Sequence, residues 1–267
     1  MSGPIVVKVG GSVLDEIASM PGLWSAIASA HAARPTGKGV IVVHGGGRAV
    51  DEQIAAMGMT TRKHEGLRIT PAEQIDVVVG VLAGVVNTRM VSQLRTHGAP
   101  AVGVTLADDG VVETVRENRY SADLGLVGRV TGGSGSLLRS LLADGRLPVV
   151  ASIGCEAGGA LLNVNADEAA MGAAEAAGAE SLVMLTDVPG VLDEHGVLIA
   201  SLDVDEALSL IERGTARGGM IAKIRSAADA ARHLGRPVLI GSVDAVGALI
   251  AGEANVGTRI EPSRVRV

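Results

Sequence analysis

Six short, predominantly apolar runs punctuate the chain, at residues 5–9, 40–43, 101–106, 148–153, 181–185 and 237–240. Each is rich in Val, Ile and Leu and lacks the polar alternation of a half-exposed strand, so each reads as a strand covered on both faces. Between them apolar positions recur at helical spacing over 23–33, 48–57, 71–96, 136–143, 167–177, 204–212, 220–234 and 245–251. This order predicts an α/β fold, an open, mostly parallel central sheet sandwiched by helices in three layers. Residues 111–130 differ. Val112, Thr114 and Arg116 alternate there, and Glu117, Asn118 and Arg119 supply a polar turn, so the stretch reads as an antiparallel hairpin attached to the sheet. No repeat or low-complexity linker interrupts the chain, so any two lobes are closely joined.

The helix from Pro71 carries the clearest start signal. Thr70 stands at the N-cap position, Pro71 at the first helical position, and Glu73 completes a capping box. Residues 75–86 are apolar on nearly every side, and such a helix must be covered all round. One face packs on the sheet. The other packs either inside a monomer or on a second copy of the chain; the expectation is a two-fold homodimer through this helix.

Composition narrows the function classes. The 267 residues hold 23 Lys+Arg against 29 Asp+Glu, a formal charge of −6. That balance speaks against nucleic-acid and anionic-membrane partners, which call for a basic face. With no Phe, one Trp and one Tyr, the chain lacks stacking platforms for single-stranded nucleic acid. The single cysteine, Cys155, excludes an intramolecular disulfide and reads as a small buried apolar residue. No signal-peptide pattern precedes the first strand, and the longest apolar run, 77–86, is half of what a membrane span needs. The expectation is a soluble, cytoplasmic protein.

Glycine accounts for 37 residues, about twice the usual share of roughly 7%, and two clusters of it follow strands directly. Lys8-Val9-Gly10-Gly11-Ser12 closes the first strand and His44-Gly45-Gly46-Gly47 the second. Glycine at a strand's carboxyl end lets backbone N–H groups approach a ligand, and a following helix turns its positive end to the same place. One such turn alone is explained by chain geometry; two of them, with Lys8 beside them, make an anion site. No G-x-x-x-x-G-K-[ST], G-x-G-x-x-G or G-x-S-x-G motif and no paired metal-spaced histidines occur. In the second half, Asn163-Val164-Asn165-Ala166-Asp167 opens a helix, where Asn165 or Asp167 serves either as a cap or in a site. Thr186-Asp187-Val188-Pro189-Gly190 closes a strand with residues a plain turn would also use. Gly218-Gly219-Met220-Ile221-Ala222-Lys223 enters a helix with a lysine that alone would be a solvated charge.

Together with Gly66-Leu67-Arg68-Ile69-Thr70-Pro71 and Thr186-Asp187-Val188-Pro189-Gly190-Val191-Leu192, these stretches resemble the amino acid kinase family in order and spacing over about residues 5 to 260. The Gly-Leu-Arg-Ile-Thr-Pro stretch favours the branch acting on N-acetyl-L-glutamate over those acting on uridylate, carbamate or aspartate. The resemblance implies the family's three-layer fold, with a lobe over about 1–175 for the acylated amino acid and dimerisation and one over 176–267 for ATP. It implies ATP-dependent phosphorylation of the γ-carboxylate of N-acetyl-L-glutamate, the second step of arginine synthesis from glutamate. A carboxylate is anionic at neutral pH and needs no general base; the difficulty is bringing it to a polyanion.

By the same resemblance Lys8 and Lys223 neutralise the transferring phosphoryl group from opposite lobes, and Asp167 holds both. Gly10, Gly11 and Gly46 match backbone donors around that group. Arg68 matches the clamp on the substrate α-carboxylate, Asn163 its amide partner, and Gly46 and Gly47 the loop gripping the substrate. Asp187, Val188, Pro189, Gly190, Val191 and Leu192, with Thr215, Gly218, Gly219, Met220 and Lys223, match nucleotide segments, to which Lys8, Gly10 and Gly11 add. Lys63 is either an extra phosphate contact or a solvated lysine. Mg²⁺ is implied, held mainly by ATP oxygens with no protein ligand named. A first strand beginning near Ile5 leads to the expectation of a dimer not strongly inhibited by arginine, and the tail 261–267, with Arg264 and Arg266, reads as surface decoration. The rival readings are a kinase of a longer blocked acid, such as an aminoadipate derivative, and a non-catalytic amino-acid sensor.

Overall fold

The computed structural model describes residues 3–14 and 17–263; Arg264 and Arg266 of the tail lie outside them. The strands in chain order are β1 Ile5–Val9, β2 Val40–His44, β3 Arg62–His64, β4 Leu67–Ile69, β5 Ala101–Thr105, β6 Glu113–Arg116, β7 Val127–Gly132, β8 Leu147–Ala151, β9 Ile153–Cys155, β10 Leu161–Val164, β11 Ser181–Thr186, β12 Ser201–Asp203, β13 Val238–Ser242 and β14 Thr258–Glu261. The helices are α1 Pro21–Ala33, α2 Gly47–Ala56, α3 Ala72–Thr96, α4 Ser136–Ala143, α5 Ala166–Ala177, α6 Val204–Glu212, α7 Gly219–Leu234 and α8 Val246–Ala251.

The central sheet has the order β12-β14-β13-β11-β1-β2-β8-β5. The six strands from β13 to β5 are parallel, and β14 pairs antiparallel with β13 while β12 follows β14. All six expected strands lie in the parallel part; five are buried along most of their length, but β5, at the sheet edge, is only partly covered, so the expectation of cover on both faces fails there. Side chains alternate between two cores. Val6, Ile41, Val43, Val150, Leu182 and Ile240 face one, under α4, α5, α6 and α7; Ile5, Val7, Val42, Val149 and Leu239 face the other, under α1, α2, α3 and α8. The sheet is thus sandwiched in three layers, as expected.

Three local expectations need correction. The hairpin over 111–130 forms as β6 and β7, but it belongs to a separate four-stranded sheet, β6-β7-β10-β9, rather than to the central one. Helix α3 starts at Ala72 with Pro71 at its N-cap and no side-chain cap. Thr70 is fully buried and its hydroxyl is spent elsewhere, donating to the Arg68 carbonyl and accepting from Asn163. Cys155 is half-buried at the end of β9 rather than in a core.

Helix α3 is α-helical over Ala72–Val79, π-helical over Gly80–Val86 and α-helical again over Asn87–Thr96. Its 25 residues are long and apolar enough, by length and composition, to cross a membrane, which the run of ten did not suggest. Val78, Leu82, Val86, Met90 and Leu94 nevertheless belong to the protein core. The opposite face shows Gly80, Gly84 and Val85 at the surface, with Val77 and Ala83 half-covered, so within one chain this helix is not covered all round.

Candidate active site

Parallel strands put their carboxyl ends on one edge of a sheet, where ligands bind in open α/β folds. Here β1 ends in Gly10-Gly11, β2 in Gly45-Gly46-Gly47, β8 in Ser152 and β11 in Thr186-Asp187. Lys8, Gly10, Gly11, Gly46, Arg68 and Asn163 share one cleft there, with Gly45, Gly47, Lys63, Ser152 and the start of α5.

Lys8 is an even position of β1, so its side chain leaves the sheet on the Val6 face, where α5 packs. Its ammonium meets Asp167 Oδ1 at 2.9 Å and curls over Gly10, where a Cβ would stand 2.7 Å from Nζ. Gly10 is therefore small because Lys8 occupies the space. Asp167 lies in the first turn of α5. Its neighbour Asn165 is the cap, accepting the Asp167 backbone N–H at 3.2 Å. The choice left open by the sequence is thereby resolved, with Asn165 as cap and Asp167 free to face the lysine.

Lys223 has a different partner from the one expected. It meets Asp187 Oδ1 at 2.9 Å and donates to the Thr186 hydroxyl; no bond joins it to Asp167. The reason is topological. α7 packs on β13 and α5, and the first carboxylate Lys223 reaches is the one just past the end of β11. Hydrogen bonds from Lys223 and Thr186 and the lysine charge hold the Asp187 carboxyl down to about 2. Since β1 and β11 are hydrogen-bonded neighbours, with Lys8 opposite Met184, the two lysines serve adjacent strand ends. Of the expected nucleotide residues only Lys8, Gly10 and Gly11 line this cleft; Lys223, Thr215 and residues 187–192 and 218–220 do not.

In that nucleotide region Asp187, Pro189, Leu192, Gly218 and Gly219 are exposed, and Val188, Thr215 and Met220 half-buried. Gly190 and Val191 are buried. The Val191 N–H donates to Thr258 Oγ1 at 2.8 Å and its carbonyl accepts from Ile199. With both backbone groups engaged and its side chain in the core, Val191 anchors the loop rather than presenting a group to a nucleotide.

The acid-binding residues sit on the other side of the cleft. Arg68, on the two-stranded β3–β4 hairpin, has only 8% of its side chain exposed. Its Nη2 donates to the Gly47 carbonyl at 2.7 Å, and its Nη1 to Thr61 Oγ1 at 3.0 Å and to Asp51. Asp51 also faces Lys63 Nζ at 3.4 Å. Partial burial opposes ionisation of Asp51, but the Arg68 and Thr61 hydrogen bonds and the Arg68 and Lys63 charges win, and its carboxyl titrates below the usual range. Lys63 thus lines the cleft but is paired. Asn163 Nδ2 donates to Thr70 Oγ1 at 3.0 Å, which fixes the amide and links it through Thr70 to the Arg68 backbone.

Gly46 requires glycine twice over. Its φ is +150°, and a Cβ would stand 2.8 Å from Leu82 Cδ2. Asp51 and Thr70 were not legible as site members in the sequence, and neither was the contact between Lys223 and Asp187. The one available signal is that Asp51 falls one helical turn after Gly47, on the face that looks back at the turn.

Among the described residues no three His, Cys, Asp or Glu side chains stand together, and Asp167 and Asp187 are each neutralised by a lysine. This donor set suits a divalent ion carried by a polyphosphate rather than caged by the protein.

The model of the amino acid kinase family matches residues 3–242. An acetylglutamate kinase of Edwardsiella ictaluri is 44% identical, covering 96% of this chain and 98% of that protein. One from Pectobacterium atrosepticum is 41% identical with the same coverage. Among solved structures, smu.665 of Streptococcus mutans UA159 superposes with a TM-score of 0.80 at 28% identity, covering 98% of this chain and 99% of that one.

Proposed function

The chain belongs to the amino acid kinase family, and on that footing we propose how it works. It is an enzyme that phosphorylates N-acetyl-L-glutamate with ATP, in arginine biosynthesis. The observation that carries the mechanism is the pair of ammonium groups at neighbouring strand ends, each 2.9 Å from its own carboxylate.

In this reading an oxygen of the substrate γ-carboxylate forms a bond to the γ-phosphorus of ATP, the bond from that phosphorus to the bridging oxygen breaks, and ADP leaves. Two anions must approach, so positioning and positive charge supply the catalysis. Lys8 and Lys223 face the migrating group from its two sides, Lys8 oriented by Asp167. The N–H groups of Gly10, Gly11 and Gly46 act as fixed donors to its oxygens, as in an oxyanion hole. Arg68 grips the α-carboxylate with Asn163 as its amide partner, and Gly46 and Gly47 grip the substrate backbone. The exposed residues of 187–192, with Thr215, Gly218, Gly219 and Met220, hold the nucleotide. Mg²⁺, bound by ATP oxygens, would bridge the phosphate charges when present. Residues 1–175 serve as the acid-binding and dimerising lobe and 176–267 as the nucleotide lobe. The uncovered stripe of Gly80, Gly84 and Val85 on α3 supports a homodimer, and the chain's formal charge of −6 suits a cytoplasmic enzyme.

Trapping of acyl phosphate with hydroxylamine tests the reading. Product is expected with ATP, Mg²⁺ and N-acetyl-L-glutamate. Preference for a longer blocked acid would overturn the substrate assignment, and no product from any acylated acidic amino acid would overturn the reaction.

A further inference from the structure

The glycine turn after β2 is braced by two side chains that do not line the cleft. His44 closes β2 on the Val40–Val42 face, toward α3, and is fully buried. Its Nδ1 donates to the Gly45 carbonyl at 2.8 Å, which leaves Nε2 as an acceptor. That nitrogen accepts at 3.0 Å from Asn87 Nδ2, and the same amide donates to the Val149 carbonyl at 2.9 Å. Asn87 is buried too, and its Oδ1 lies over Gly103 of β5, where a Cβ would stand 2.1 Å from it. One amide thus meets β2, β8 and β5 close to where the glycine turn begins. Burial holds the His44 imidazole down to about 4, so it stays neutral at neutral pH.

The π-helical turn of α3 explains how Asn87 arrives there. In a regular helix of 3.6 residues per turn, residues 82 and 86 share a face while 87 points well away. The wider π turn over Gly80–Val86 brings all three to one side. Leu82 and Val86 press on Gly46, at 2.8 Å and 3.3 Å from where its Cβ would be, while Asn87 bonds His44. Steric and polar contacts to the glycine turn therefore come from the same irregular segment.

We infer that Asn87, acting through His44, is a positioning residue that sets the backbone of Gly45, Gly46 and Gly47 against the acid substrate and the migrating phosphoryl group. The inference rests on the reading of the cleft given above.

Two variants disturb this link from opposite sides without altering the cleft lining. Asn87→Ala removes both hydrogen bonds. Gly103→Ala keeps Asn87 but drives a methyl group into its Oδ1. Turnover at saturating substrates is expected to fall about 10- to 100-fold in each, with a higher KM for the acid and a KM for ATP within about twofold of the wild type. In NMR spectra the Gly45, Gly46 and Gly47 amide signals shift, and His44 Nε2 moves toward the position of a nitrogen without a donor. Adding His44→Ala to Asn87→Ala costs little beyond the larger single loss, as residues in series behave. Wild-type turnover per folded molecule with only a lower melting temperature, or unmoved glycine signals, would overturn the inference. If Asn87→Ala does not fold, Gly103→Ala decides the question. Absence of acyl phosphate from the wild type would strike the functional reading instead, and the NMR signals would still report whether Asn87 holds the turn.

Discussion

Lys8 at the end of β1 and Asp167 in the first turn of α5 meet at 2.9 Å, and this contact is separate from the one that holds Lys223. The two lysines therefore respond to different substitutions. Lys8→Ala and Lys223→Ala should each lower kcat by about 10²-fold or more. Asp167→Asn should act through Lys8 alone, so that combining it with Lys8→Ala adds little, whereas combining it with Lys223→Ala multiplies the losses. Single-turnover rates of the double variants check this.

Gly10 offers a way to displace Lys8 without removing it. A methyl group there would stand 2.7 Å from Nζ and 2.9 Å from Cε. These are the far atoms of a flexible side chain, so the fold survives. Gly10→Ala should reproduce most of the kcat loss of Lys8→Ala, with a melting temperature within about 2 °C of the wild type. Thermal melts run beside the hydroxylamine assay read both quantities.

Arg68 and Asp51 should separate from the lysines kinetically. Arg68→Ala removes binding of a group that does not react, so it raises KM for the acid by about tenfold or more with a smaller change in kcat. Asp51→Asn leaves Arg68 in place but loosens it, giving a smaller rise in the same constant. Equal kcat losses for Arg68→Ala and Lys8→Ala would show the roles to be wrongly divided.

Burial of His44 makes stability depend on pH. Burial holds its imidazole at about 4, well below the usual histidine value of about 6.5. As pH falls below about 6.5 the unfolded chain gains a proton that the native one refuses. The contribution of this group is unchanged above that point and is lost at about 1.4 kcal/mol per pH unit down to about pH 4, roughly 3 kcal/mol in all. Urea unfolding at pH 7 and pH 5 should show this slope in the wild type and its loss in His44→Asn.

The uncovered stripe of α3 gives the assembly prediction. A long charged side chain at exposed Gly84 would keep a second helix away. Wild-type protein should scatter light as a dimer and Gly84→Arg as a monomer at micromolar concentration.

The parallel strands were legible because burial of most of their residues leaves few polar interruptions, Lys8 among them. The short strands Ser201–Asp203 and Thr258–Glu261 were not, since three or four residues with polar side chains carry no periodicity. In the site, Lys8, the glycine turns and Arg68 stood out by motif, and all share one cleft. Their partners did not. Asp51 looks like an ordinary charge on a helix, and Thr70 matched a capping pattern because its true partner, Asn163, is remote in sequence. Asp187 looked like a turn former or, by resemblance, a nucleotide residue, and only the packing of α7 on β13 and α5 gives it a lysine. His44 stood at the head of the glycine turn with no role of its own; what it braces depends on a helical irregularity that no local pattern announced.

The seam between β1 and β11 has a mechanical consequence. Main-chain hydrogen bonds join these strands along Ile5 to Lys8, and they belong to the two different lobes proposed above. The lobes are stitched by a ribbon of amides rather than strung on a tether. Any narrowing of the gap between acid and nucleotide must then come from flexing that ribbon and from the loops at its lip, so the stiffness of the sheet itself limits how far the reactants can be driven together.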